Sequence, residues 1–161
     1  MAVSAASGQS VRRWKMYDGS RYGFAVAFPV SPTVSTEKVS DIPLTGFEVA
    51  NGTERYQVIV TMADPSVPKD QAIRDLVGST RKGLLDGGYR IMAESDVNHG
   101  EVLGREMIYS NGANLSVTRW YFTGQSIYVV TAQVLRDNVV NDPAYAREVS
   151  GFLNSFKTIY D

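Results

Sequence analysis

Four short turn sequences divide most of this chain into apolar runs of strand length. They are Asp18-Gly19, Asn51-Gly52, Asn98-His99-Gly100 and Asn111-Gly112. Asn or Asp followed by Gly readily adopts the positive φ angles of a tight hairpin, so each site predicts two adjacent antiparallel strands. The sequence therefore predicts a protein built largely of consecutive β-hairpins.

Length and composition are typical of one folded domain. The chain has 161 residues, of which 43% are hydrophobic, and this is enough for a single substantial core. We predict one domain over residues 12–161, preceded by a disordered segment over residues 1–11. The first ten residues are small and polar, which is typical both of a disordered terminus and of the region that follows a signal-peptide cleavage site.

The charge balance excludes some classes of partner. Sixteen basic residues face 17 acidic ones, and the sequence pI is about 5.8. Because nucleic acids and anionic membrane surfaces are bound by basic faces, neither is predicted as a partner. No stretch approaches the roughly 20 apolar residues of a membrane helix, so no integral membrane segment is predicted. The chain also has no cysteine, which removes disulfides and thiolate sites.

Two segments have the apolar spacing of amphipathic helices. The first follows a proline-bearing loop, with Asp70 as its expected N-cap and Gly87-Gly88 as its end. Its apolar stripe is Ile73, Leu76, Val77, Thr80, Leu84 and Leu85. The second is expected to begin at the cap Asp142 with Pro143 in its first turn. Its stripe is Tyr145, Val149, Phe152, Leu153 and Phe156.

The strands between these helices are apolar on both faces. A two-residue turn at Asn111-Gly112 predicts Ile108 opposite Leu115, and a turn at Gly124-Gln125 predicts Tyr121 opposite Tyr128. A sheet with one face in water would be polar on that face, so both faces require a cover, and the two helices can supply it. The predicted fold class is α+β, with an antiparallel sheet of about six or seven strands sandwiched between helices.

Several residue patterns resemble those of bacterial PsbP-like and DcrB-like envelope proteins. They are Trp14–Tyr17 followed by Tyr22–Pro29, then Gly104–Glu106, Arg119–Gly124 with Ile127–Val130, and Phe152–Phe156. The resemblance implies the fold of the extrinsic PsbP subunit of photosystem II. It also implies a non-enzymatic role and a periplasmic or otherwise extracytoplasmic location, with a cytoplasmic location as the alternative.

No residue pattern indicates catalysis, a cofactor or a metal. The single histidine, His99, lies among polar residues between Glu94 and Glu101, which is more typical of a solvated turn than of a metal site. No nucleophile elbow and no phosphate-binding glycine loop occurs. Glu106 and Arg119 are predicted to lie on one face, one diagonal step apart. We expect a salt bridge there, with ligand binding as the alternative.

Aromatic residues near the first turn are the other candidate site. Trp14, Tyr17 and Tyr22 flank this turn at an expected sheet edge, where incomplete burial would let them contact a partner or ligand. With Glu106 and Arg119 they form the predicted binding residues. One hypothesis is a non-catalytic binding or accessory protein that recognises a protein segment through a sheet face or edge. The alternative is a carrier of a small apolar ligand or lipid in a pocket between sheet and helix.

Overall fold

The computed structural model describes residues 13–159, so the predicted disordered segment over residues 1–11 lies outside the described residues. The strands are Lys15–Gly19 (β1), Phe24–Phe28 (β2), Thr33–Val39 (β3), Ile42–Ala50 (β4), Glu54–Met62 (β5), Arg90–Asp96 (β6), Leu103–Ser110 (β7), Asn114–Phe122 (β8), Ser126–Leu135 (β9) and Lys157–Thr158 (β10). The helices are Lys69–Asp86 (α1), Arg136–Asn141 (α2) and Pro143–Ser155 (α3), and Ser20–Tyr22 forms a 3₁₀ turn.

Most strands belong to one large antiparallel sheet. Its order among the described residues is β3-β4-β5-β9-β8-β7-β6, and each neighbouring pair is antiparallel. The predicted sheet is therefore confirmed. Strands β3 and β6 lie at its two edges.

The N-terminal hairpin belongs to a second, small sheet. There β2 pairs with β1 on one side and with β10 on the other, in the order β1-β2-β10. The hydroxyl of Tyr128 in the centre of the large sheet donates to the carbonyl oxygens of Tyr22 and Gly23, at 3.0 and 3.2 Å. These contacts hold the start of β2 against the large sheet.

One face of the large sheet is covered by α3 and the small sheet together. Phe156 stacks on Tyr121 at 5.1 Å between ring centroids and on Phe24 at 5.8 Å. The core on this face consists of large side chains from both sheets and the helix: Phe24, Val26, Phe28, Phe47, Tyr56, Val58, Tyr121, Tyr128, Val130, Phe152, Leu153 and Phe156. Helix α3 thus covers this face as predicted, but it shares the face with β1, β2 and β10. The sequence did not predict that these strands form a separate sheet.

The opposite face is covered by α1. Val77 of this helix packs with Met107, Trp120 and Phe122 of β7 and β8, and Trp120 is only 2% exposed. The helix lies over β6, β7 and β8. Both apolar faces of the central strands are therefore buried, as their sequence predicts.

One predicted strand register is correct and the other is displaced by two residues. Tyr121 pairs with Tyr128 as predicted. Ile108, however, pairs with Val117 and not with Leu115, because the loop after β7 has three residues, Asn111–Ala113. The side-chain oxygen of Asn111 accepts hydrogen bonds from the backbone nitrogens of Ala113 and Asn114, at 3.2 and 2.8 Å, which stabilises the longer loop. A displacement of two residues leaves each side chain on its predicted face.

The predicted helix caps also differ in outcome. Asp142 caps α3, because its carboxylate accepts a hydrogen bond from the backbone nitrogen of Ala144 at 2.9 Å. The prediction for Asp70 is wrong. Helix α1 begins at Lys69, two residues earlier than a cap at Asp70 requires, and Asp70 instead pairs with Arg74 at 3.0 Å.

A close backbone contact at Gly104 supports a stability test. A Cβ atom at this position would lie 2.5 Å from the carbonyl oxygen of Val97. We expect Gly104→Ala to lower the free energy of unfolding by about 2 kcal/mol, because backbone must move to accept the methyl group. Gly78→Ala in α1 is the control, since a Cβ there meets nothing within 4 Å and alanine favours the helix. Urea unfolding of both variants measures the difference, and equal stabilities would contradict the expectation.

Candidate functional site

Within residues 13–159, strand β3 is an exposed edge with no strand paired on its outer side. All seven of its residues are exposed. It is joined to β4 by the two-residue turn Ser40-Asp41, whose φ angles of 49° and 65° are those of a tight hairpin. Such a turn is closed by a hydrogen-bonded pair, here Val39 with Ile42. The amides alternate along an antiparallel strand, so those of Val34, Thr36 and Lys38 point away from β4.

Apolar side chains accompany this free edge. Val34, Val39 and Ile42 are 48%, 55% and 50% exposed. Val34 pairs with Phe47 of β4, which is fully buried. On the α1 side, Ile59 of β5 is only half-buried, because α1 lies over β6 to β8 at the other end of the sheet. The edge strand therefore borders a part of the sheet that is open to solvent.

The predicted aromatic residues are half-buried and pack against the core. Trp14 contacts Tyr56 edge-on at 5.0 Å between centroids. Tyr17 and Tyr22 both contact Phe47, at 5.5 and 5.0 Å. Tyr17 and Tyr22 thus both support the β3–β4 hairpin through Phe47, whereas Trp14 packs against β5 and against Phe152 of α3. All three pack against the core between the two sheets.

Glu106 and Arg119 form the predicted salt bridge. They lie directly opposite each other on β7 and β8. The predicted register, which is displaced by two residues from the observed one, places them one diagonal step apart. The Nε atom of Arg119 donates to the Glu106 carboxylate at 2.6 Å, and the two side chains are 17% and 16% exposed. Arg119 also donates through Nη1 to the side-chain oxygen of Asn154 in α3, at 3.0 Å. The pair therefore links the sheet to the helix that covers it.

Burial and charge act in opposite directions on the ionisation of this cluster. Burial opposes the charge of Arg119, but the hydrogen bond from Arg119 to Glu106, together with the charge of Glu106 and the neighbouring Tyr121, outweighs it and raises the pKa of the guanidinium. Burial raises the pKa of Tyr121, and the charge of Arg119 offsets only part of this effect. At neutral pH the arginine is therefore charged and the tyrosine hydroxyl keeps its proton.

A second charged cluster connects α1 to the edge of the large sheet. Arg81 binds the Glu94 carboxylate with two parallel hydrogen bonds, of 2.7 and 2.5 Å. Arg105 lies 3.8 Å from the same carboxylate and pairs with Asp96. Arg81, Asp96 and Arg105 border an open cleft of about 540 Å³. Sequence reasoning missed the cluster, because no spacing rule relates a helix residue to a partner on a following strand.

The described residues contain neither a metal-type cluster nor a helix that could span a membrane. No group of three or more His, Asp or Glu side chains suited to a metal occurs within residues 13–159. In the same range, no helix is long and apolar enough to cross a bilayer. His99 lies in the turn between β6 and β7, where its backbone nitrogen and oxygen pair with Val102 at 2.9 and 3.1 Å.

Comparisons with known proteins show the fold. No family model matches the chain, and no curated protein matches its sequence. The solution structure of cyanobacterial PsbP (CyanoP) from Synechocystis sp. PCC 6803 is similar, with a TM-score of 0.64 and 10% identity over 97% of this chain and 98% of that chain. The Ran-binding protein Mog1p from Saccharomyces cerevisiae has a TM-score of 0.50 and 11% identity over 92% and 96%.

A third structure, a protein of unknown function from Pseudomonas aeruginosa, has a TM-score of 0.45 and 12% identity over 84% of this chain and 92% of that chain. This similarity is too low to support an argument. The likeness to CyanoP confirms the predicted PsbP-like fold. The resemblance to DcrB-like proteins stays a prediction.

The Glu106–Arg119 pair gives a prediction about stability. We expect Glu106→Ala to lower the free energy of unfolding by about 2 kcal/mol or more, because it leaves a largely buried guanidinium without its carboxylate. The double variant Glu106→Met/Arg119→Met should recover most of this loss, since it removes both charges and keeps apolar volume. Chemical denaturation measures both variants. A double variant no more stable than Glu106→Ala would contradict a structural role for the pair.

The lowered pKa of Glu94 gives a prediction about pH. The hydrogen bond from Arg81 is the main cause; burial opposes it, and the charges of Arg81 and Arg105 add to it, so the pKa falls below the usual 4.5. A carboxylate with a lowered pKa contributes stability above its unfolded-state pKa, and this is lost as pH falls through the folded-state value. Glu94→Gln should therefore lower Tm at about pH 7 and much less at about pH 3. The exposed Glu37→Gln is the control, and a Tm difference for Glu94→Gln that is independent of pH would contradict the expectation.

Proposed function

We propose that this protein is a non-catalytic binding or accessory protein of the bacterial cell envelope, which recognises an extended segment of a partner protein by pairing it with β3. The observation that carries this proposal is the exposed edge of β3, with outward amides at Val34, Thr36 and Lys38. An extended peptide that adds to a sheet edge gains main-chain hydrogen bonds, and side chains on alternate positions supply specificity.

The side chains of β3 suit this mode of binding. Val34 on one face and Val39 on the other supply exposed apolar contacts, and Glu37 and Lys38 alternate between the faces with opposite charge. A partner strand with apolar residues on both faces complements this edge. Lys38 also discourages unspecific strand pairing, since its charge must remain hydrated when another edge approaches.

The similar structures support a binding role through their fold. Mog1p is by name a Ran-binding protein, so this fold occurs in a protein that binds another protein. The envelope location rests on the resemblance to PsbP-like envelope proteins. The carrier alternative is not favoured, because the clefts near α1 and near Tyr22, of about 540 and 970 Å³, are open and include charged side chains in their walls.

A proline substitution on the edge strand tests this proposal. Thr36→Pro removes an outward amide and leaves the hydrogen bonds between β3 and β4 in place. A photo-crosslinking amino acid at position 36 of the full chain first identifies the contacted partner segment in the native host. We then expect Thr36→Pro to weaken binding of that segment, prepared as a peptide, by about tenfold.

Thr36→Val is the matched control, because it keeps the amide and favours a strand. It should bind the peptide with the affinity of the unmodified protein, as measured by titration calorimetry. Equal affinities for Thr36→Pro and Thr36→Val would exclude pairing at this edge. The absence of any specific crosslink from position 36 would also overturn the proposal.

A further inference from the structure

A cleft of about 390 Å³ lies at the end of the large sheet remote from β3. The turn between β6 and β7 forms one wall, and the segment that joins α3 to β10 forms the other. Arg119 and Tyr121 of β8 lie at its base. Its volume is within the range of small-ligand sites.

The polar groups of this cleft are mainly hydrogen-bond donors. The side-chain oxygen of Asn98 already accepts a hydrogen bond from the backbone nitrogen of Gly104, at 2.8 Å. The oxygen of Asn154 likewise accepts from Arg119, at 3.0 Å. A side-chain amide whose oxygen already accepts one hydrogen bond keeps both of its N–H groups for a ligand. Both asparagines can therefore supply donors to the cleft.

Charge distinguishes this cleft from those near α1 and near Tyr22. Arg119 and the exposed Lys157 line it, and no Asp or Glu is among the described residues of its lining. The clefts near α1 and near Tyr22, in contrast, include Asp70 and Glu101 in their walls. Glu106 lies behind Arg119 and is held by it at 2.6 Å. Since Glu106 balances the charge of Arg119, a carboxylate is the group that complements the Lys157 cation and the amide donors.

Apart from His99 in the β6–β7 turn, the remaining surface of the cleft is largely apolar. Val102, Leu153 and Phe156 contribute to its lining, and they are only 3%, 3% and 9% exposed. These side chains belong to the core on this face, so the wall they form is rigid. An apolar group attached to the carboxylate would be desolvated against them.

Strand β10 adds a backbone edge to the same cleft. The backbone nitrogen of Ile159 donates to the carbonyl oxygen of Gly23, at 2.8 Å, so these two residues form a hydrogen-bonded pair. Thr158 is the next residue along and pairs with Phe24. Because hydrogen-bonded and non-hydrogen-bonded pairs alternate, the amide and carbonyl of Thr158 point away from β2. Thr158 lines the cleft, where these groups suit the backbone of an extended chain.

We propose that this cleft binds the C-terminal carboxylate of an extended polypeptide whose last side chain is apolar. Lys157 and the amides of Asn98 and Asn154 bind the carboxylate. The last side chain packs on Leu153 and Phe156, and the backbone pairs with Thr158. This site is separate from the β3 edge, so it stands or fails independently of the proposed function.

The test uses fluorescein-labelled hexapeptides of alternating serine and valine that end in phenylalanine, either as the free acid or as the C-terminal amide. Fluorescence anisotropy with the full chain should show saturable binding of the free acid and about tenfold weaker binding of the amide. Lys157→Glu should weaken binding of the free acid by at least about tenfold. Lys82→Glu on the exposed surface of α1 makes the same charge change on the opposite face of the sheet and should leave the affinity unchanged.

A small free carboxylate shows whether the cleft recognises a peptide C-terminus or any apolar carboxylate. 3-Phenylpropionate carries the same terminal groups without a peptide backbone, so it should displace the peptide only at a much higher concentration. Thr158→Pro removes the outward amide. It should weaken binding of the peptide and leave binding of 3-phenylpropionate unchanged. Equal binding of acid and amide, no saturable binding, or 3-phenylpropionate as tight as the peptide would each overturn the proposal.

Discussion

Burial of both faces of the large sheet is the constraint on which the rest of the structure depends. The central strands β7 to β9 carry apolar side chains on each face, and leaving either face in water would expose residues such as Trp120 on one face or Tyr121 on the other. Helix α1 covers one face, and α3 with the small sheet covers the other. The two covers differ in extent, and this difference determines which parts of the sheet stay exposed as candidate binding surfaces.

The candidate sites are consequences of that unequal cover. Helix α1 lies over β6 to β8, so the β3 end of the sheet remains open and β3 is exposed along its whole length. On the opposite face, α3 ends at Ser155 and the chain turns into β10, which leaves a cleft beside the β6–β7 turn. The Glu106–Arg119 pair closes the base of that cleft and joins it to α3 through Asn154. Each site is thus set on rigid elements.

Local sequence patterns predicted much of the fold, and their failures have identifiable causes. The two-residue turn expected at Asn111-Gly112 is a three-residue loop, because the Asn111 side chain binds two backbone nitrogens and stabilises the longer connection. The sequence placed Trp14, Tyr17 and Tyr22 near a sheet edge, but it did not reveal that their segment forms a second layer packed on the large sheet. It found Glu106 and Arg119 from their shared face, and it missed Arg81 with Glu94, which belong to different kinds of element.

The sequence by itself determined the hairpins, the helix stripes and the two apolar faces of the central strands. Turn chemistry and side-chain periodicity depend on residues close along the chain, so they can be read without coordinates. Only the tertiary structure decided that β1, β2 and β10 form a separate sheet, that β3 is left bare, and that Asn98, Asn154 and Lys157 meet around one cleft. These features depend on the packing of segments distant in sequence, and no local pattern encodes which of them come together.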